Sequence, residues 1–153
     1  MKNYMKLELL ALSENESFAR SAVAAFALSL NPTLLELSDI KTAVSEGVTN
    51  CIVHAYARGE DGVIVIECRI QNEDELHIKI TDYGCGIEDV QKAVLPFYTT
   101  LSSDERSGMG FTIMQTFMED LSVQSKCGGG TVISMSKTIG TVENMMIKER
   151  ANA

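Results

Sequence analysis

The chain has 153 residues, of which 45% are hydrophobic and 22% charged, which suits one globular domain with a proper core and excludes a disordered chain. Its net charge of −8 argues against direct binding to nucleic acid or to an anionic membrane surface. A nucleotide ligand stays compatible with that charge, because a metal ion and backbone N–H groups can hold one.

In the opening stretch, MKNYMKLELLALSENES, charged residues interrupt the apolar run and no small-residue cleavage site follows, so no signal peptide is expected. No run approaches the roughly 18 uninterrupted apolar residues that span a bilayer, so no membrane segment is expected and the cytoplasm is the default location. Cys51, Cys68, Cys85 and Cys127 form no C-x-x-C pair, which disfavours zinc. In a reducing compartment these thiols are expected to be free.

Residues 4–12, YMKLELLAL, read as a strand. Ser13 or Asn15 then caps a helix, ESFARSAVAAFALSL, which Asn31-Pro32 breaks. Thr33 and Glu36 have capping-box spacing for a second helix running to about Ala57. Its apolar stripe is Ile40, Val44, Val48, Cys51, Ile52 and Ala55. GVIVIECRIQ and LHIKITDY, joined by NEDE, read as a hairpin with Leu76, Ile78 and Ile80 on one face. A short helix over Glu88–Val94, an aperiodic polar loop over 96–107, a helix GMGFTIMQTFMEDL, and a second hairpin, LSVQSK and TVISMSK across CGGG, complete the chain. This order makes an α+β two-layer sandwich, with helices on one face of a mixed, largely antiparallel sheet. Residues 1–138 form one domain and 139–153 a mixed tail expected to be partly disordered.

Four segments carry chemistry. Glu46 and Asn50, at i and i+4, lie about 40° apart on one helix face. Their side is opposite the apolar stripe, which by itself reads as a solvated face. However, Ala43, Val53 and Ala57 share that side and Asp39 is its only other charge, so a cleft wall is the sharper reading. Asp82 ends a strand, followed by Gly84 and Gly86. An acceptor-only carboxylate there can fix an exocyclic amine such as adenine's, and glycines let a flat ligand approach the backbone. The plain alternative is an Asx turn. Gly108 and Gly110 open a helix, whose free N–H groups and positive dipole end suit an anion. The preceding 12-residue loop, PFYTTLSSDERS, has the character of a lid and ends near Arg106, placed to reach a terminal phosphate. Thr131 begins the last strand after three glycines, where it is at least a strand residue.

As an ordered set these segments resemble the N box, G1 box, lid and G2 box of the Bergerat-type ATP-binding fold. Gyrase-type ATPases, 90-kilodalton heat-shock proteins, histidine kinases and mismatch-repair ATPases share it. More narrowly, FARSAVAAF, SEGVTNCIVHAY, TDYGCGIEDV, PFYTT and RSGMGFTIM resemble the anti-sigma F factors of spore-forming bacteria, serine/threonine kinases that act on an anti-anti-sigma protein.

The resemblance implies ATP or ADP with Mg²⁺ as cofactors, Asn50 as the magnesium ligand and Glu46 as the catalytic base, about 6 Å apart by helix geometry. It implies Asp82, Gly84, Gly86 and Thr131 at adenine, and Thr99, Thr100, Gly108, Met109, Gly110 and Phe111 as further nucleotide contacts, with Arg106 on the γ-phosphate. Glu16 and Arg20 would contact the sigma factor, although their i,i+4 spacing alone predicts only an intrahelical ion pair. A homodimer is also implied. No Walker A lysine motif is present. Two other functions compete: the ATP-binding half of a histidine kinase, and a non-catalytic nucleotide-gated partner-binding module. His54 and His77 are the sole histidines, and neither falls on a plausible dimerisation helix.

Overall fold

The computed structural model describes residues 2–57, 61–96, 108–140 and 146. Five strands, β1 (Asn3–Leu10), β2 (Val63–Gln71), β3 (Glu75–Asp82), β4 (Glu119–Ser125) and β5 (Thr131–Thr138), form one sheet in the order β1-β2-β3-β5-β4. The helices are α1 (Ser13–Ala27), α2 (Leu34–Asn50), α3 (Val90–Ala93) and α4 (Gly110–Phe117). All four strand pairings are antiparallel, so the sheet is not mixed among the described residues. With two helices between β1 and β2 the chain reverses direction three times, an odd number, which returns β2 antiparallel to β1.

Alternation sorts the two faces of the sheet. Ile64, Ile66, Cys68 and Ile70 of β2 and Leu76, Ile78 and Ile80 of β3 are buried. They meet Ala19, Val23 and Ala27 of α1, Ile40, Val44 and Val48 of α2, and Met114 of α4. Burying each large aliphatic side chain stabilises the fold by roughly 1.5–3 kcal/mol. The other face is polar: the Tyr4 hydroxyl donates to Glu67, Lys79 pairs with Glu67, and Arg69 lies over the Tyr4 ring.

Several boundaries differ from those the sequence predicts. Helix α1 begins at Ser13, with Leu12 at the cap position and no side-chain cap; Asn15 instead donates to the Leu10 carbonyl at 3.0 Å. The capping box of α2 is present: Glu36 N–H donates to Thr33 Oγ1 at 3.2 Å, and Thr33 N–H to Glu36 Oε2 at 2.7 Å. Helix α2 does not run regularly to Ala57. It widens into a π turn over Cys51–Ala55 and leaves helical geometry at Tyr56. Ala43, expected beside Glu46 on the open side, is fully buried. Asp39 on that side is not solvated either, since it pairs with Lys137 at 3.2 Å.

Helix α4 ends at Phe117, four residues before the expected Leu121. Lys137 donates to the Phe117 carbonyl at 2.7 Å, and the Glu119 carboxylate accepts from the Thr138 hydroxyl at 3.0 Å, so β4 begins at Glu119. The tail does not separate at residue 139: Ile139 is buried in the core and its N–H donates to the Asp74 carbonyl at 2.8 Å. Residues 141–145 and 147–153 lie outside the described residues. Among the described residues no helix is long and apolar enough to cross a membrane, and all four cysteines are unpaired.

Candidate active site

A cleft of about 1130 Å³ opens between α2, the end of β3, the start of α4 and the start of β5. Glu46 and Asn50 of α2 both line it, as the four-residue spacing predicts. Gly110, the first residue of α4, lies directly against them. A β-carbon there would stand 3.2 Å from Glu46 Oε2 and 3.3 Å from Asn50 Oδ1. A carboxylate and an amide oxygen therefore converge on the start of α4, where Met109 at the cap position supplies no side-chain hydrogen bond. First-turn N–H groups without intrahelical partners favour an anion at this end.

At the far end of the cleft stands Asp82, with 4% of its surface exposed. Gly84 N–H donates to its Oδ1 at 3.0 Å. Burial pushes the Asp82 carboxyl above its ordinary pKa, against the opposing hydrogen bonds from the Gly84 backbone, the Cys51 thiol and the Thr131 backbone. Burial also pushes the Cys51 thiol well up, with the Asp82 charge adding to it, so Cys51 is a protonated wall residue rather than a nucleophile. Thr131 faces Asp82 in the β3–β5 register and lines the same cleft.

The two glycines after Asp82 have different duties. Gly86 lines the cleft at φ +73°, and a β-carbon there would meet the Lys126 carbonyl oxygen at 2.0 Å. Gly84 is not on the cleft wall. A β-carbon there would lie 1.9 Å from the Ala55 carbonyl oxygen, so its glycine identity seats the loop beneath the π turn and not against a flat ligand. The same carbonyl accepts the Cys85 N–H at 2.7 Å.

The histidine kinase-like ATPase domain profile matches residues 9–137. The anti-sigma F factor of Caldanaerobacter subterraneus subsp. tengcongensis is 54% identical over 138 residues, covering 90% of this chain and 95% of that one. That of Clostridium perfringens is 53% identical over 141 residues, covering 92% and 100%. The chain belongs to the histidine kinase-like ATPase family and, within it, to the anti-sigma F factors. Solved structures share the fold at low identity. The RsbU and RsbW domains of a Mycobacterium tuberculosis protein superpose with a TM-score of 0.66 at 16% identity, over 90% of this chain and 33% of that one. The mycobacterial sensor histidine kinase MprB gives 0.56 at 15%, over 88% and 98%.

Within this family frame, Gly108, Met109 and Phe111 join Glu46, Asn50 and Gly110 on the cleft wall. Thr99, Thr100 and Arg106 fall outside the described residues. Glu16 and Arg20 are not on the cleft; they form the i,i+4 pair on α1 at 3.3 Å. His54 lines the cleft from the π turn and His77 sits within β3. Among the described residues no group of three or more His, Cys, Asp and Glu side chains could hold a metal ion.

Two residues escaped the sequence reading. Tyr56 donates its hydroxyl to the Val63 carbonyl at 2.5 Å and accepts Tyr83 N–H at 2.9 Å, fixing the chain just after Asp82. Its place at the end of SEGVTNCIVHAY, where a helix was expected to continue, was the available signal. Ser125, behind Thr131, left no signal at all.

Proposed function

We propose that this chain is an ATP-dependent protein-serine kinase that also sequesters a sigma factor. The observation that carries the reading is the convergence of Glu46, Asn50 and the start of α4 at one end of a cleft whose other end is Asp82. The name borne by the 52–54% identical relatives, anti-sigma F factor, supports the sigma-factor half.

Asp82 takes the exocyclic amine of adenine, Thr131 supports the base through water, and Gly86 gives the ring access to backbone. Gly108, Met109, Gly110 and Phe111 hold the phosphates at the α4 N-terminus, and the family resemblance adds Thr99 and Thr100 as nucleotide contacts and Arg106 on the γ-phosphate. Asn50 offers one hard oxygen donor, which fits Mg²⁺, an ion that takes most of its ligands from phosphates and water. Bound there, Mg²⁺ would neutralise charge on the β- and γ-phosphates.

Glu46 accepts the proton of a substrate serine. The serine oxygen attacks the γ-phosphorus, the bond to the β–γ bridging oxygen breaks, and ADP leaves. The substrate is an anti-anti-sigma protein. Glu16 and Arg20 meet the sigma factor, and the working form is a cytoplasmic homodimer.

The deciding experiment incubates the chain with γ-labelled ATP, Mg²⁺ and a candidate anti-anti-sigma protein. Label on a serine of that protein is the expected result. Intact ATP binding without transfer would leave a nucleotide-gated binding module instead.

A further inference from the structure

Ser125, the last residue of β4, is not itself on the cleft wall, yet its Oγ is the meeting point of three short contacts. Ile87 N–H donates to it at 2.7 Å, the Gly130 carbonyl lies 2.9 Å away, and Thr131 Oγ1 lies 2.8 Å away. A hydroxyl has one proton and two lone pairs. Ile87 fills one lone pair. The Gly130 carbonyl can only accept, and two oxygens 2.9 Å apart repel without a proton between them. The Ser125 proton is therefore committed to Gly130. The contact with Thr131 must then use the proton of Thr131, donated into the second lone pair of Ser125.

The consequence appears inside the cleft. With its proton turned back to Ser125, Thr131 Oγ1 offers only lone pairs to a ligand. Beside it in the β3–β5 register stands Asp82, a second acceptor once ionised. We propose that Ser125 is a specificity-determining positioning residue: it locks Thr131 as an acceptor, so the base end of the cleft admits a 6-amino purine and rejects a 6-oxo purine. A 6-amino group brings two donors to this pair of acceptors, or to a water they hold. A 6-oxo group brings an oxygen that neither Asp82 nor Thr131 can satisfy, and leaving buried polar groups unpaired is what gives large discrimination. The inference rests on the reading of Asp82 and Thr131 as the base site and adds the residue that sets its polarity.

The test measures the affinities of ATP and inosine triphosphate for the full chain by calorimetry. In Ser125→Ala the Thr131 hydroxyl is free to rotate and donate to the 6-oxo group. The ATP-over-ITP affinity ratio is expected to fall roughly tenfold, the worth of one hydrogen bond, chiefly through tighter ITP binding. Ser125→Thr keeps the hydroxyl and should keep the wild-type ratio. A merely structural role, through the freed Ile87 N–H, would weaken both nucleotides equally; an unchanged ratio in Ser125→Ala overturns the proposal. If Ser125→Ala is too unstable to titrate, Ser125→Cys takes its place, being close in size but a weak donor and acceptor. A fallen ratio in that variant supports the proposal, and a wild-type ratio overturns it. A wild-type chain that binds ATP and ITP equally would instead overturn the base-site reading beneath it.

Discussion

Gly110 stands so close to Glu46 that a β-carbon on the glycine would lie 3.2 Å from Glu46 Oε2. Asn50 Oδ1 would be 3.3 Å from the same carbon. Gly110→Ala therefore pushes on both groups of the phosphate end at once. The backbone there is not left-handed, and alanine favours a helix over glycine by about 1 kcal/mol, so the fold should tolerate the change. We expect a melting temperature equal to or above wild type and an ATP Kd raised roughly tenfold, the effect of about 1.4 kcal/mol. Unchanged ATP affinity in a titration would remove Gly110 from the phosphate site.

Asp82→Asn separates stability from binding. Burial holds the native pKa of Asp82 above its ordinary value. For a carboxylate shifted this way, the ionised form costs native stability at pH above the native pKa, and the cost disappears as pH falls through that pKa to the unfolded one. The variant should thus melt higher than wild type near neutral pH, and the gap should close on acidification. ATP affinity should fall roughly 10- to 100-fold, as for losing a charged acceptor. A melting gap of constant size across pH would mean that Asp82 burial is not its source.

Much of this site is written in local sequence signals. The Glu46–Asn50 spacing sets both side chains on one face, Thr33 and Glu36 announce where α2 begins, and alternation at Leu76, Ile78 and Ile80 fixes which face of β3 is buried. What escaped is non-local. The π turn at Cys51–Ala55 ends on the Ala55 carbonyl, which accepts the Cys85 N–H across the chain, and no periodicity in either segment encodes that meeting. Gly84 looked like a ligand glycine because its role depends on the same carbonyl. Nothing near Asp39 in the sequence points to its partner, because Lys137 lies on the last strand. The early end of α4 has the same origin, since Lys137 also holds the Phe117 carbonyl.

Glu46→Gln keeps the shape of the cleft and removes the base. ATP affinity should stay within about threefold of wild type, while the rate of phosphate transfer to the serine substrate should drop roughly 10²-fold or more. Transfer at the wild-type rate would reduce Glu46 to a polar wall of the cleft.

Arg20→Ala tests whether α1 carries partner contacts. The Glu16–Arg20 pair is partly exposed at 3.3 Å, so its loss should cost the isolated fold no more than a few tenths of a kcal/mol. Sigma-factor binding in a pull-down should weaken while ATP binding persists, because neither residue lines the cleft. Undiminished capture of the sigma factor would leave the pair as a helix-surface feature.

Tyr56→Phe probes how the two halves of the site are joined. The ring packs over Gly62, where a β-carbon would stand 2.2 Å from it, and phenylalanine keeps that contact. What the variant loses is the hydroxyl between the Val63 carbonyl and the Tyr83 N–H. Two backbone groups lose a partner, which costs about 1–3 kcal/mol and lowers the melting temperature by roughly 2–12 °C in a domain of this size. Tyr83 follows Asp82 directly, so the carboxylate becomes less well fixed and ATP should bind several-fold more weakly. ATP analogues lacking the 6-amino group should be less affected, since they do not use Asp82 as an acceptor. Equal losses for ATP and for the 6-unsubstituted purine triphosphate would show that Tyr56 stabilises the fold without positioning Asp82.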